Sequence, residues 1–368
     1  MFGAVLGDII GSRFEFDRGG RTKEFTLFTK EDDFTDDTVM TVAIMEGLIH
    51  AGKDADEKTV KESLIRSMQK WGRKYPYAGY GARFIHWIHA ENPQPYNSWG
   101  NGSAMRVSSV GWLYDSLERT REAARWSAEI SHNHPEGVKG AECAAAVIYL
   151  ARAGEEKEGI RDYVLKEFGY DLSETMEELR ARHEHVESCQ DSLPKALTSF
   201  FEGISYEDVV RNAVSLGGDT DTLGAIAGAM AEAYYGIPED IINEGKNFLP
   251  EEMLSVLMKI DTAKPATKKA EQIQKVKQLR EQGLTYREIG TVMNISAAYA
   301  HILDKPELYN TEKHKEMHKK YIDKRREENL AYGKKWREKH PEYMKEWYQA
   351  NKERYKEYQR KKKENETV

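Results

Sequence analysis

Apolar residues recur at helical spacing through most of residues 39–260, and alternating runs rich in Val, Ile and Thr are nearly absent. Segments 58–73, 119–131, 137–153, 158–167, 174–183, 205–215 and 222–235 each predict a helix. Glu136-Gly137 and Gly154 punctuate two of them, and Pro76, Pro93 and Pro95 mark loops. Residues 1–12 predict another helix, with Gly3, Gly7 and Gly11 on one face, where a second helix can approach closely. Residues 17–34 carry Gly19-Gly20 and mixed charge and predict a mobile loop. The fold class expected is all-α.

The pattern breaks near Asp261-Thr262-Ala263-Lys264-Pro265, which suggests three parts: residues 1–262, 266–304 and 305–368. Residues 270–282 predict a helix ending at Gly283. Thr285 and Glu288 then form a capping box, with Ile289 and Met293 facing inward. Asn294 makes a turn, and Ser296 caps residues 297–303. This resembles the helix-turn-helix of DNA-binding proteins, although a plain helical hairpin has the same pattern. The last part repeats every eleven residues: Trp336, Trp347 and Tyr358, then Tyr321, Tyr332 and Tyr343. Eleven residues make about three helical turns, so each set forms a stripe. Basic, aromatic-bearing helices suit nucleic acid, and a solvated extension or an oligomerisation arm fits equally.

Composition sharpens the division. Residues 266–368 carry 26 Lys and Arg against 17 Asp and Glu, which leaves 29 against 45 in residues 1–265. An acidic body with a basic tail points to a polyanionic partner for the tail alone. The two cysteines, Cys143 and Cys189, give no disulfide framework and fit a reducing compartment. No basic leader opens the chain and no apolar run approaches the length of a membrane span, so a soluble, cytoplasmic protein is expected.

The chemistry concentrates in two stretches far apart in sequence. Thr35-Asp36-Asp37-Thr38 and Asp219-Thr220-Asp221-Thr222, the second preceded by Gly217-Gly218, each open directly into a helical pattern. One Asp is enough to cap a helix; each of these starts carries two Asp and two Thr. Carboxylates and hydroxyls are ligands for hard cations, and two such clusters face to face would hold two ions. Between them lies Ser98-Trp99-Gly100-Asn101-Gly102, whose glycines let backbone amides approach a phosphate while Trp99 or Tyr96 stacks on a base.

With these, Gly3-Ala4-Val5-Leu6-Gly7-Asp8-Ile9-Ile10-Gly11-Ser12, Glu15, Met105-Arg106 and Ser131-His132-Asn133-His134 stand in an order that resembles the ADP-ribosylglycohydrolases over roughly residues 1–240. The resemblance implies a multi-helical orthogonal bundle and a hydrolase acting on ADP-ribosylated substrates. It implies two Mg2+ ions, or Mn2+, on Thr35, Asp36, Asp37, Asp219, Asp221 and Thr222. Glu15 and Asp36 become the catalytic residues, with Glu15 acting as base, acid or water-positioner. Ser98, Trp99, Gly100, Asn101, Gly102 and His132 become substrate-binding residues, with Gln190 and Ser192 near the nucleotide end.

Some readings fall away and others stay open. His132 and His134 lack a further ligand at zinc spacing, and Cys189 lacks a basic cluster to make a thiolate. Met105-Arg106 reads as the start of a helix, with Arg106 either a buried structural partner or a substrate ligand. The acceptor stays open as well, because some arginine-directed relatives carry an acidic residue near the position of Ser98. A DNA-binding regulator that senses ADP-ribose without turning it over is the reading from a different class.

Overall fold

The segments predicted as helices between residues 58 and 235 are each helical over most of their length in the computed structural model, which describes residues 1–18, 21–182, 184–259, 268–293, 301 and 304. In chain order the helices are α1 (Gly3–Ser12), α2 (Asp36–Ala51), α3 (Glu57–Lys74), α4 (Ala82–His89), α5 (Gly102–Met105) and α6 (Ser108–Leu113). Then come α7 (Leu117–Glu129), α8 (Pro135–Arg152), α9 (Lys157–Phe168), α10 (Met176–Ala181), α11 (Cys189–Glu202) and α12 (Tyr206–Val214). The series closes with α13 (Thr220–Tyr235), α14 (Glu239–Gly245), α15 (Glu251–Leu257), α16 (Lys268–Glu281) and α17 (Tyr286–Met293). No strand occurs among the described residues; a single bridge pairs Gly100 with Ser188.

The centre of the body is the antiparallel pair of α1 and α13, both almost fully buried. The glycine face of α1 is what allows their contact. A Cβ on Gly7 would stand 2.0 Å from the Gly224 carbonyl oxygen, one on Gly3 2.4 Å from that of Gly228, and one on Gly11 2.3 Å from that of Thr220. Backbone therefore lies against backbone at every turn of α1. Glu232 of α13 closes the other end, accepting hydrogen bonds from the Phe2 and Gly3 amides at 2.9 and 2.8 Å. Those amides are among the first N–H groups of a helix and have no partner inside it. The register is thus fixed at both ends, and it places Gly11 beside Thr220.

Against this pair pack α2, α8, α11 and α12, and α3 lies along α2. One apolar cluster runs from Met1 to Leu257. Among the described residues of 18–34 there is no helix, but they are tied down: Arg211 of α12 donates to the carbonyls of Lys23 and Phe25, and Arg13 pairs with Asp32. The two arginines are distant in sequence from the loop residues they hold, so the composition of the loop does not reveal them.

Met105 closes the one-turn α5 instead of opening a helix, and Arg106 links it to α6. Arg106 is fully buried, bonds to the Ser127 carbonyl and the Ser131 hydroxyl, and lies over the Phe84 ring. Its role is structural, the first of its two readings.

No described helix is long and apolar enough to cross a membrane. Taken by themselves, α16 and α17 share a small core of Val276, Leu279 and Ile289, and the expected capping box of Thr285 and Glu288 is formed. The turn at Asn294, the second cap at Ser296 and the whole of residues 305–368 lie outside the described residues.

Candidate active site

A buried carboxylate organises the first cluster. Asp8 on α1 accepts from the Thr35 amide and hydroxyl at 3.0 and 2.8 Å, and from the Thr38 amide and hydroxyl at 3.0 and 2.5 Å. It thereby caps α2 from outside and fixes how Asp36 and Asp37 leave the helix start. Asp36 donates its own amide to the Ala78 carbonyl at 2.7 Å, which lays residues 78–79 over it. A Cβ on Gly79 would lie 3.4 Å from Asp36 Oδ1.

The second cluster faces the first. Gly217 and Gly218 both take positive φ, 71° and 76°, and that bend delivers Asp219 and Asp221 to the start of α13. Thr222 donates to Asp37 Oδ2 at 3.0 Å, joining the two clusters directly. A 3₁₀ turn at Glu15–Asp17 follows α1 and brings Glu15 within reach. One oxygen each of Glu15, Asp219 and Asp221 lie within 4.8 Å of one another.

So many carboxylates in one buried place repel each other. Burial first, then the charge of Asp221, pushes Asp8 and Glu15 up to about 7. Burial likewise raises Asp36, Asp37 and Asp219 well above the usual range, each with a neighbouring Asp next in importance, and it raises Asp221. Two oxygens, Asp37 Oδ1 and Asp221 Oδ1, are buried with no hydrogen-bond partner. A divalent cation answers both features, supplying charge to the carboxylates and a partner to the two oxygens. The donor set is oxygen only, so it fits a hard cation such as magnesium or manganese.

The glycine segment adjoins this centre through Asn101. Its side-chain amide donates to Asp219 Oδ2 at 2.6 Å and to Ser192 Oγ at 3.0 Å. Backbone bonds from Asn101 to Glu187 and from Cys189 to Trp99, at 2.8 and 2.9 Å, hold the segment on the start of α11. His132 stands behind it. A Cβ on Gly102 would lie 3.0 Å from His132 Nε2, while Nδ1 shares a 2.8 Å hydrogen bond with Ser131 Oγ. Burial, helped by the nearby Arg106 charge, holds His132 well below its usual pKa, so the ring is neutral. Trp99 remains 42% exposed, its ring edge-on to His134. Tyr96 packs on the His132 ring. Ser98 accepts from the Gly100 amide at 3.2 Å, and buried Gln190 Oε1 has no hydrogen-bond partner.

The residues singled out from sequence therefore gather in two adjoining places: a carboxylate centre and a glycine segment. Sequence reasoning passed over Asp8, although an Asp set between Leu6 and Ile9 in an apolar run was itself a signal. It also passed over Glu187, whose contact is through its backbone carbonyl and leaves no trace in residue type.

Comparison with known proteins agrees with this geometry. Residues 1–282 match the family model described as ADP-ribosylglycohydrolase. The chain is 28% identical to ADP-ribosylhydrolase ARH3 of Mus musculus, over 65% of this chain and 83% of that protein. It is 23% identical to ADP-ribosylarginine hydrolase Tri1 of Pseudomonas putida (strain GB-1), over 64% of this chain and 70% of that one. A solved structure described as an ADP-ribosylglycohydrolase-related protein complex superposes with a TM-score of 0.54 at 25% identity, covering 69% of this chain and 93% of its own.

Proposed function

The chain belongs to the ADP-ribosylglycohydrolase family, and we propose that it frees ADP-ribose from a modified acceptor by hydrolysing the glycosidic bond at the distal ribose. One juxtaposition carries this reading: Glu15 shares an oxygen cluster with Asp219 and Asp221, and Asn101 ties that cluster to the 98–102 segment. A half-buried glutamate with a pKa near 7 can hold or give up a proton at neutral pH, as glycosidase carboxylates do.

Thr35, Asp36, Asp37, Asp219, Asp221 and Thr222 would hold two Mg2+ ions, and Mn2+ suits the same donors. When bound, such ions supply a template for hydroxyl groups and stabilise developing charge. The chain's own residues do the rest. Asp8 holds Thr35 and Thr38 in place, Thr222 orients Asp37, and Asn101 orients Asp219. Asp36 faces the substrate beside Glu15. Ser98, Gly100 and Gly102 offer backbone and hydroxyl contacts to the pyrophosphate and ribose, and exposed Trp99 offers a ring to the adenine. Neutral His132 meets the ligand as a hydrogen-bond partner without charge.

We assign catalysis to residues 1–262. Residues 266–304 and the basic residues 305–368 are proposed to bind nucleic acid, which the charge division supports. The deciding assay incubates the full chain with ADP-ribosylated substrates and follows free ADP-ribose by chromatography, with Mg2+ and with EDTA. Release in Mg2+ that EDTA stops is the expected result. Binding of ADP-ribose without release from any substrate overturns hydrolysis and favours a ligand-sensing regulator.

A further inference from the structure

Residues 184–188 touch the 98–102 segment, the Gly217-Gly218 bend and the turn that carries Glu15. The Glu187 carbonyl accepts from the Asn101 amide at 2.8 Å, and Ser188 bridges to Gly100. At the other end, Glu184 and His185 lie against the Gly217-Gly218 bend, where a Cβ on Gly218 would meet the Glu184 carbonyl oxygen at 3.0 Å and His185 Cα at 3.2 Å. Within the segment, His185 Nε2 and Glu187 Oε1 are 2.8 Å apart.

The Glu15 turn meets this segment through a residue that pays no attention to its own backbone preference. Phe16 takes φ 58° and ψ 34°, the left-handed region that a non-glycine residue seldom occupies. Strain of this kind persists only where surrounding contacts impose it. The contacts are present: the Phe16 amide donates to the Gly218 carbonyl at 3.0 Å, and its ring stacks on His185 at 5.6 Å and 21°. The Arg18 guanidinium lies over the same ring at 5.2 Å. Despite these layers, 57% of Phe16 faces solvent, so burial alone does not explain its position.

We propose that Phe16 and His185 are positioning residues, a clip that holds the Glu15 carboxylate in the oxygen cluster and links it to the 98–102 segment through Glu187. The proposal rests on the hydrolytic reading above and adds to it a residue pair that contacts neither substrate nor cation. A helix end followed by a free 3₁₀ turn would let Glu15 swing outward; the stack and the Gly218 bond remove that freedom. Because the same five residues carry the Asn101 contact, ligand seated on residues 98–102 and the placement of Glu15 share one support.

The test uses the full chain with Phe16→Ala, His185→Ala, their double variant, and His185→Phe. Each alanine variant should lower kcat by about 100-fold, the scale of a misplacement near 1 Å, while KM and the affinity for free ADP-ribose stay within about twofold. The double variant should fall no further than either single one, since one clip is broken in each. His185→Phe keeps a ring on Phe16 and should restore most of kcat. Full activity in the alanine variants, a change in KM alone, or multiplying losses in the double variant would overturn the clip. A crystal structure of His185→Ala gives a readout independent of turnover: Glu15 should leave its place beside Asp219 and Asp221. Were the unmodified chain to lack hydrolase activity, that structure would still decide the clip.

Discussion

Asp8, Asp36 and Asp221 do different work although all three carboxylates are buried or nearly so. Asp8 spends its oxygens on four hydrogen bonds within α1 and α2, whereas Asp221 keeps one oxygen with no partner. Asp221→Ala or Asp36→Ala should therefore abolish turnover and cation binding together while the protein stays folded, since removing a carboxylate from a repulsive cluster relieves repulsion. Activity within a few fold of the unmodified chain, in either variant, would contradict the ion assignment. Glu15→Gln should separate differently. Turnover falls by about 100-fold or more, the range of acid–base catalysis, and ADP-ribose affinity holds. Poor binding with normal turnover at saturation would make Glu15 a binding residue. These roles were only partly legible from sequence. Doubled Asp and Thr at two helix starts announce a site because capping needs fewer. The work of Asp8 depends on which helix lies opposite, and that of Glu187 runs through a carbonyl that every residue type shares.

At the scale of elements, periodicity located α3, α7 and α12 because each buries one stripe, whereas α1 and α13 are buried on almost every side. It passed over α4, α14 and α15, which are only seven or eight residues long and give periodicity little room. The glycine face of α1 was legible as a close approach, but its partner was not, since Gly224 and Gly228 look like small residues of any buried helix. The pairing makes a sharp prediction. Alanine favours a helix over glycine by about 1 kcal/mol, yet at Gly7 the new methyl would meet backbone atoms of Gly224 and Ala225 at 2.0 to 2.9 Å. Backbone cannot step aside as a side chain can, so the clash wins. Gly7→Ala should cost about 3 kcal/mol or more, the upper end of overpacking, and should weaken cation binding by displacing Asp8 and Gly11. Gly159→Ala is the control. Its methyl would meet only the flexible Glu155 carboxylate, so thermal melts should show it neutral or slightly stabilised. Equal losses in both variants would refute the backbone contact as the cause.

The charge of the whole molecule is divided twice, once inside the site and once along the chain. Inside, Asp8, Glu15, Asp36, Asp37, Asp219 and Asp221 all have pKa values raised by folding. The folded chain then binds more protons than the unfolded one between the ordinary carboxylate range and about 7, so stability is lost as pH rises through that window. Neutral, buried His132 works in the opposite direction and is outnumbered. With EDTA present, the melting temperature should be lower at pH 7.5 than at pH 5.5, and Mg2+ should raise it most at the higher pH. A flat profile in EDTA would mean that the carboxylates do not repel one another as their placement implies.

Along the chain, an acidic body repels a polyanion, so any affinity for nucleic acid has to come from residues after about 266. Among the described residues the apolar core of the body ends at Leu257, and α16 and α17 have a core of their own. A fragment of residues 1–262 contains every proposed ligand and should keep hydrolysing a small soluble substrate at the rate of the full chain. The same fragment should lose nucleic-acid binding. In the full chain that binding should weaken steeply with salt, by about 0.9 log units per phosphate contact for each tenfold rise, because each Lys or Arg contact releases a counterion. Gel-shift titration of both proteins at two salt concentrations separates the possibilities. Equal binding by fragment and full chain would move the nucleic-acid surface onto the acidic body, against its charge. Binding by neither would sink the nucleic-acid proposal and leave residues 305–368 as an oligomerisation or spacer element, a role their eleven-residue repeat suits equally in sequence.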